Sequence, residues 1–120
     1  EYAAKCDRTD AHVMELIRDL APRYWFIENP RGGMRKMPWM QDLPRYTVTY
    51  CQYGDKRQKP TDIWTNHPDP QFKPPCKPGA PCHEPAPRGS RTGTQGIKAS
   101  LDRSRIPSQL CEHIADICER

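Results

Sequence analysis

Apolar residues recur at three- and four-residue steps near the start of the chain, at Val13, Met14, Ile17 and Leu20. That spacing predicts a helix, which Thr9 and Asp10 can cap and Pro22 closes. The next apolar stretch has a different character. Tyr24 to Ile27 is a continuous run of the kind found in a strand covered on both faces, as in parallel sheets with helices above and below. Helix followed by buried strand points to an α/β unit. Tyr46 to Tyr53 is rich in β-branched and aromatic residues, Gly54 to Pro60 turns, and Asp62 to Asn66 reads as a short partner strand, so a hairpin is expected. At the far end Pro107 stands where a first-turn proline belongs, and Leu110, Ile114, Ile117 and Cys118 mark one apolar face of a terminal helix.

The middle has no such pattern. Eight prolines fall among the 21 residues from His67 to Pro87, and Gly89 to Gly96 continues the irregularity, so a long loop is expected there. The chain divides into a helix and strand core over 1–65, a basic Pro/Gly-rich loop over 66–105 and a C-terminal helix over 106–120. Its 120 residues, of which 35% are apolar, allow one modest core and no more than one domain. The net charge of +4 is unevenly placed: Lys and Arg against Asp and Glu count 11 against 9 up to Thr65, 7 against 3 from Asn66 to Arg105, and 1 against 3 thereafter. A basic loop attracts a polyanion such as nucleic acid, because each neutralised phosphate releases counterions. The same loop also reads as merely solvated, and charge alone does not separate the two.

No apolar run approaches the roughly 18 residues that span a bilayer, and no basic, apolar and small-residue zones form a signal peptide. A cytoplasmic protein with no membrane partner is expected. Six cysteines then read as reduced thiols, some of them candidate metal ligands. Within "PPCKPGAPCHEP", Cys76, Cys82 and His83 offer three zinc ligands, with Cys51 or His67 as the fourth. A Cys76–Cys82 disulfide or free thiols are the alternatives.

The strand-like run ends on a carboxylate, Glu28. A polar residue at the end of a buried strand is held by the rigid sheet where ligands bind in open α/β folds, and partial desolvation there can raise its pKa. A glutamate that simply bonds backbone groups at a strand end fits the same position. The neighbouring residues add to the first reading. "YWFIENPRG" resembles the motif of DNA (cytosine-5) methyltransferases in which a buried strand runs into Glu-Asn-Val and a glycine; Glu28, Asn29 and Gly32 match and Pro30 replaces the valine. "YCQYGDKRQKPTDIWTN" resembles that family's Tyr-Gly and Gln-x-Arg-x-Arg turn, with Tyr53 and Gly54 matching and with Lys59 and Thr61 where the two arginines stand. "RSRIPSQLCEHIADIC" is similar to the closing proline-led helix, without its Gly-Asn pair. Phage-type and metagenomic members resemble the chain most.

The resemblance implies the C-terminal half of such an enzyme: a partial Rossmann-like, three-layer α/β sheet with a long Pro/Gly-rich loop and a C-terminal helix. It implies DNA as partner and S-adenosylmethionine as cofactor of the complete enzyme, in which a cysteine attacks a flipped-out cytosine. Glu28 is then the catalytic carboxylate that contacts the base, Asn29 orients it, and Arg31, Arg57, Lys59, Arg88 and Arg91 are DNA contacts, with Lys98, Arg103 and Arg105 beside them. The nucleophilic Pro-Cys loop and the glycine turn that binds the cofactor are expected ahead of Glu1, so the chain alone is expected to be inactive and to pair with a complementary N-terminal half or with itself. Two other readings remain: a noncatalytic nucleic-acid-binding protein with a vestigial Glu-Asn site, and a zinc-ordered interaction module.

Overall fold

The computed structural model describes residues 12–77, 80–83 and 105–119. The first helix, α1, is described over 12–20, and the expected caps Thr9 and Asp10 lie outside the described residues. Three strands follow: β1 (Phe26–Pro30), β2 (Arg45–Thr49) and β3 (Pro60–Thr65). A final helix, α2, covers Ser108–Cys118, with Pro107 at its N-cap. Short 3-10 turns at Gly33–Lys36 and Pro38–Met40 join β1 to β2, and another, Tyr50–Tyr53, follows β2.

The strand order is β1-β3-β2, and both neighbours run antiparallel to β3. The expected β2–β3 hairpin is present. The parallel pairing expected for the first strand is not: β1 pairs with β3, with Phe26 opposite Thr65 and Pro30 opposite Thr61. Because β1 and β2 each oppose β3, they are parallel to one another across it. The strand also begins and ends later than the apolar run, since the register with β3 continues through Pro30 and leaves Glu28 inside the strand, opposite Ile63. Proline is tolerated there because it ends a strand whose outer edge carries no partner among the described residues. Likewise β2 stops at Thr49, and the next four residues of the expected strand coil into the 3-10 turn.

The continuous apolar run has its cause in covering on both faces. Side chains alternate along a strand. Phe26 therefore joins the cluster of Val48, Tyr50, Tyr53, Ile63 and Leu110, with Ile114 packed beside it. Ile27 joins Met34, Met40 and Trp64 on the other face, where Val13, Met14 and Ile17 of α1 pack. One helix thus lies on each side of the sheet. Within α2, Leu110 and Ile117 are buried and Ile114 is half-buried, whereas Cys118 is exposed rather than on the apolar face. β3 is the central strand, and five of its six residues are buried, Thr61, Asp62, Ile63 and Thr65 completely.

Candidate functional site

Glu28 shares its sheet face with Ile63 and Val48, and the residues around it come from the turn between β2 and β3. Burial raises its pKa above the usual carboxylate value, and the nearby Lys59 ammonium offsets part of that rise. Lys59 is itself buried at 9% exposure and has a left-handed backbone, φ 34°, which is uncommon for a side chain other than glycine or asparagine. That backbone kink sets its Nζ 5.2 Å from the centre of the Tyr50 ring. Burial, and next the charge of Glu28, push the Tyr50 hydroxyl up to about 12. That hydroxyl is buried with no well-formed hydrogen bond among the described residues, although the Thr61 hydroxyl lies close enough to influence it. The arrangement is a half-buried carboxyl group facing a cation and a phenol, able to hold or release a proton near a polar ligand.

Asn29 occupies the opposite face, at the register position of Asp62. Successive side chains on a strand diverge, so Asn29 does not orient the Glu28 carboxylate directly. Next to Asp62 the sheet carries a polar cluster that nothing in the sequence marked out. Arg35 donates to both Asp62 carboxylate oxygens, at 2.9 and 2.7 Å, and the Thr47 hydroxyl donates to Asp62 Oδ1 at 2.9 Å. Burial opposes the charge, but these bonds hold the Asp62 carboxyl below its ordinary value.

Of the expected DNA contacts, Arg31 is exposed directly after β1. Arg57 is turned inward: its side chain is 5% exposed, its Nη2 donates to Asp55 Oδ2 at 2.7 Å and to the Arg105 carbonyl at 2.9 Å, and Asp55 Oδ1 accepts from its Nε at 3.0 Å. Its guanidinium ties the hairpin turn to the residues before α2 instead of facing a phosphate. Arg88 and Arg91, with Lys98 and Arg103, lie outside the described residues.

The cysteine motif comes together. Cys51, Cys76, Cys82 and His83 present ligand atoms all within 4.8 Å of one another. Cys51 and Cys76 sulfurs are 3.0 Å apart, Cys82 and Cys51 sulfurs 3.4 Å, and His83 Nδ1 lies 3.5 Å from Cys76 and 3.6 Å from Cys82. Cys51, Cys76 and Cys82 are free in this structure. His67, the other expected fourth ligand, is elsewhere: its Nδ1 accepts from the Asp69 backbone N–H at 3.0 Å and its ring packs, tilted, against Tyr24 with ring centres 4.6 Å apart. Choosing Cys51 over His67 needed the fold, because Cys51 lies 25 residues before Cys76.

The chain is similar in sequence to a DNA (cytosine-5) methyltransferase. The relative is a probable DNA (cytosine-5)-methyltransferase of Frog virus 3 (isolate Goorha), 30% identical over 120 residues. The match covers 88% of this chain and 55% of that protein, so the chain spans about half the length of the curated relative it matches. No family model matches the sequence, and no solved structure matches it.

Proposed function

We propose that the chain is the base-contacting part of a DNA cytosine-5 methyltransferase, with Glu28 as the group that meets the cytosine ring. The observation that carries this is the state of Glu28. It is held on a strand, half-buried, with a raised pKa and a cation beside it. Burial favours the protonated form of a carboxyl group, and in that form it can donate to a ring nitrogen. Lys59 supplies the positive charge next to Glu28, and Arg31 is an exposed candidate for phosphate contact. Asn29, on the opposite face, contributes through the strand rather than by contact with the base.

The sheet supports the same reading at the level of the fold. β1 and β2 are parallel, β3 lies antiparallel between them, each face carries a helix, and the outer edge of β1 has no partner among the described residues. We read this as the latter part of a doubly wound, Rossmann-like sheet whose other strands would continue from that edge. S-adenosylmethionine is the methyl donor the homology implies for a complete enzyme. No group in the described residues is assigned to it, so the chain's own part is to hold the base and place a proton.

The test is methyl transfer to cytosine by the chain reconstituted with a complementary half that carries a nucleophilic cysteine and a cofactor site. Glu28→Gln should lower kcat by roughly 10²- to 10⁴-fold, the usual size of a general acid–base contribution, while the far-ultraviolet spectrum stays the same. Full activity with Glu28→Ala would remove Glu28 from the mechanism, and labelled methyl transferred by the chain alone would show that a complete active site is already present.

A further inference from the structure

The cysteine and histidine cluster is independent of the Glu28 chemistry, and it is the one candidate metal-ligand cluster among the described residues. We propose that Cys51, Cys76, Cys82 and His83 bind one zinc ion in a closed, structural Cys3His site that fastens the Pro-rich segment to the turn carrying Tyr50 and Lys59.

The donor set is the first argument. Three thiolates and an imidazole suit zinc's tetrahedral preference, and four protein donors leave no open position for a water or substrate. Ideal Zn–S and Zn–N lengths place tetrahedral ligand atoms about 3.6 to 3.8 Å apart. The two sulfur to His83 Nδ1 separations, 3.5 and 3.6 Å, fall at that value, and the sulfur pairs at 3.0 and 3.4 Å need to open by less than an ångström, roughly, to admit the ion.

The second argument is that the ligands are held before any ion arrives. Cys51 sits in the 3-10 turn after β2 and is buried. The Cys76 backbone N–H donates to Thr49 Oγ1 at 3.0 Å, and Gln58 Nε2 donates to the Cys76 carbonyl at 3.3 Å. Thr49 is the last residue of β2 and Gln58 precedes Lys59, so both ends of the hairpin turn grip the same cysteine. Outer-shell bonds of this kind orient metal ligands.

The third argument is need. Residues 66–77 form no helix or strand, and proline removes the backbone donors that would tie them to the sheet. Asn66 and His67 tie the start of the segment to residues 23–25 and Thr65, and beyond them it is held by the Lys73 N–H to the Tyr53 hydroxyl at 2.9 Å, the two bonds at Cys76, and Phe72 against Phe26, Tyr46 and His113. A metal bond network joining residues 51 and 76–83 closes the gap.

The experiment uses the full chain purified under reducing conditions, with metal content measured by mass spectrometry and cobalt(II) as a spectroscopic substitute. About one zinc per chain is expected, and cobalt should give tetrahedral d–d bands together with thiolate-to-cobalt charge transfer. Cys82→Ser and His83→Ala should each lose most of the metal, whereas Cys111→Ser, an exposed cysteine outside the cluster, should keep it. Cobalt titration of the unaltered chain stands even if a variant fails to fold. Less than about a tenth of an equivalent of zinc with octahedral cobalt spectra overturns the site. Undiminished zinc in Cys51→Ser overturns the assignment of its fourth ligand. None of these readouts depends on methyl transfer, so the site can fail while the Glu28 reading stands, and the reverse.

Discussion

Single residues decide what the site can do. Asp62 is completely buried, and its charge is tolerated because Arg35 and Thr47 satisfy it. Its carboxyl titrates below its ordinary value of 3.8, so the ionised form contributes stability that is fully present above that value. That contribution is lost as pH falls from there through the lower, folded value. Denaturant unfolding followed from pH 6 to 2 should therefore show an acid-side loss that Asp62→Asn reduces, with the part due to the Asp55–Arg57 pair remaining. Asp62→Ala should destabilise by about 1–3 kcal/mol, because it leaves the Thr47 hydroxyl and the partly solvated Arg35 guanidinium without their partner. Equal acid sensitivity in the Asn variant would take Asp62 out of the account. Arg57 shows the same rule from the other side. Its sequence position reads as a DNA contact, yet Asp55 two residues earlier captures it in the turn.

At the scale of elements, the β2–β3 turn is the joint on which everything else bears. It carries Tyr50, Cys51 and Lys59, and it meets α2 at Gly54. Gly54 has φ 87°, and a Cβ there would run into the Gln109 side-chain amide. Gly54→Ala should destabilise by about 1–3 kcal/mol, through strain at the left-handed backbone and the displaced amide. Leu110→Ala, which empties the completely buried position α2 gives to the core, should lose about 2–5 kcal/mol. Thermal unfolding of both variants checks these values. If Gly54→Ala is neutral, the turn is looser than its contact with α2 implies.

At the scale of the molecule, an unpaired edge on β1 matters most. Its outer backbone groups have no strand partner among the described residues, and Leu16 and Leu20 of α1 are exposed, Leu20 at 75%. Open sheet edges pair with other chains unless something covers them. The chain should therefore self-associate, or bind a complementary half, with concentration-dependent sedimentation. A strictly monomeric species at high concentration would count against this, and would mean that the edge is protected.

Local pattern determined the elements. Three- and four-residue apolar spacing located both helices, and the β-branched and aromatic stretch with its turn located the hairpin, because each depends on residues close together in the chain. Only the tertiary structure decided the rest. It made β3 the central strand and β1 antiparallel to it, and it moved Glu28 from the end of a strand to its interior. It turned Arg57 inward and chose Cys51 rather than His67 to complete the cluster. Periodicity records how often a side chain is buried, but strand direction, register and the meeting of residues dozens of positions apart follow from how the whole chain packs.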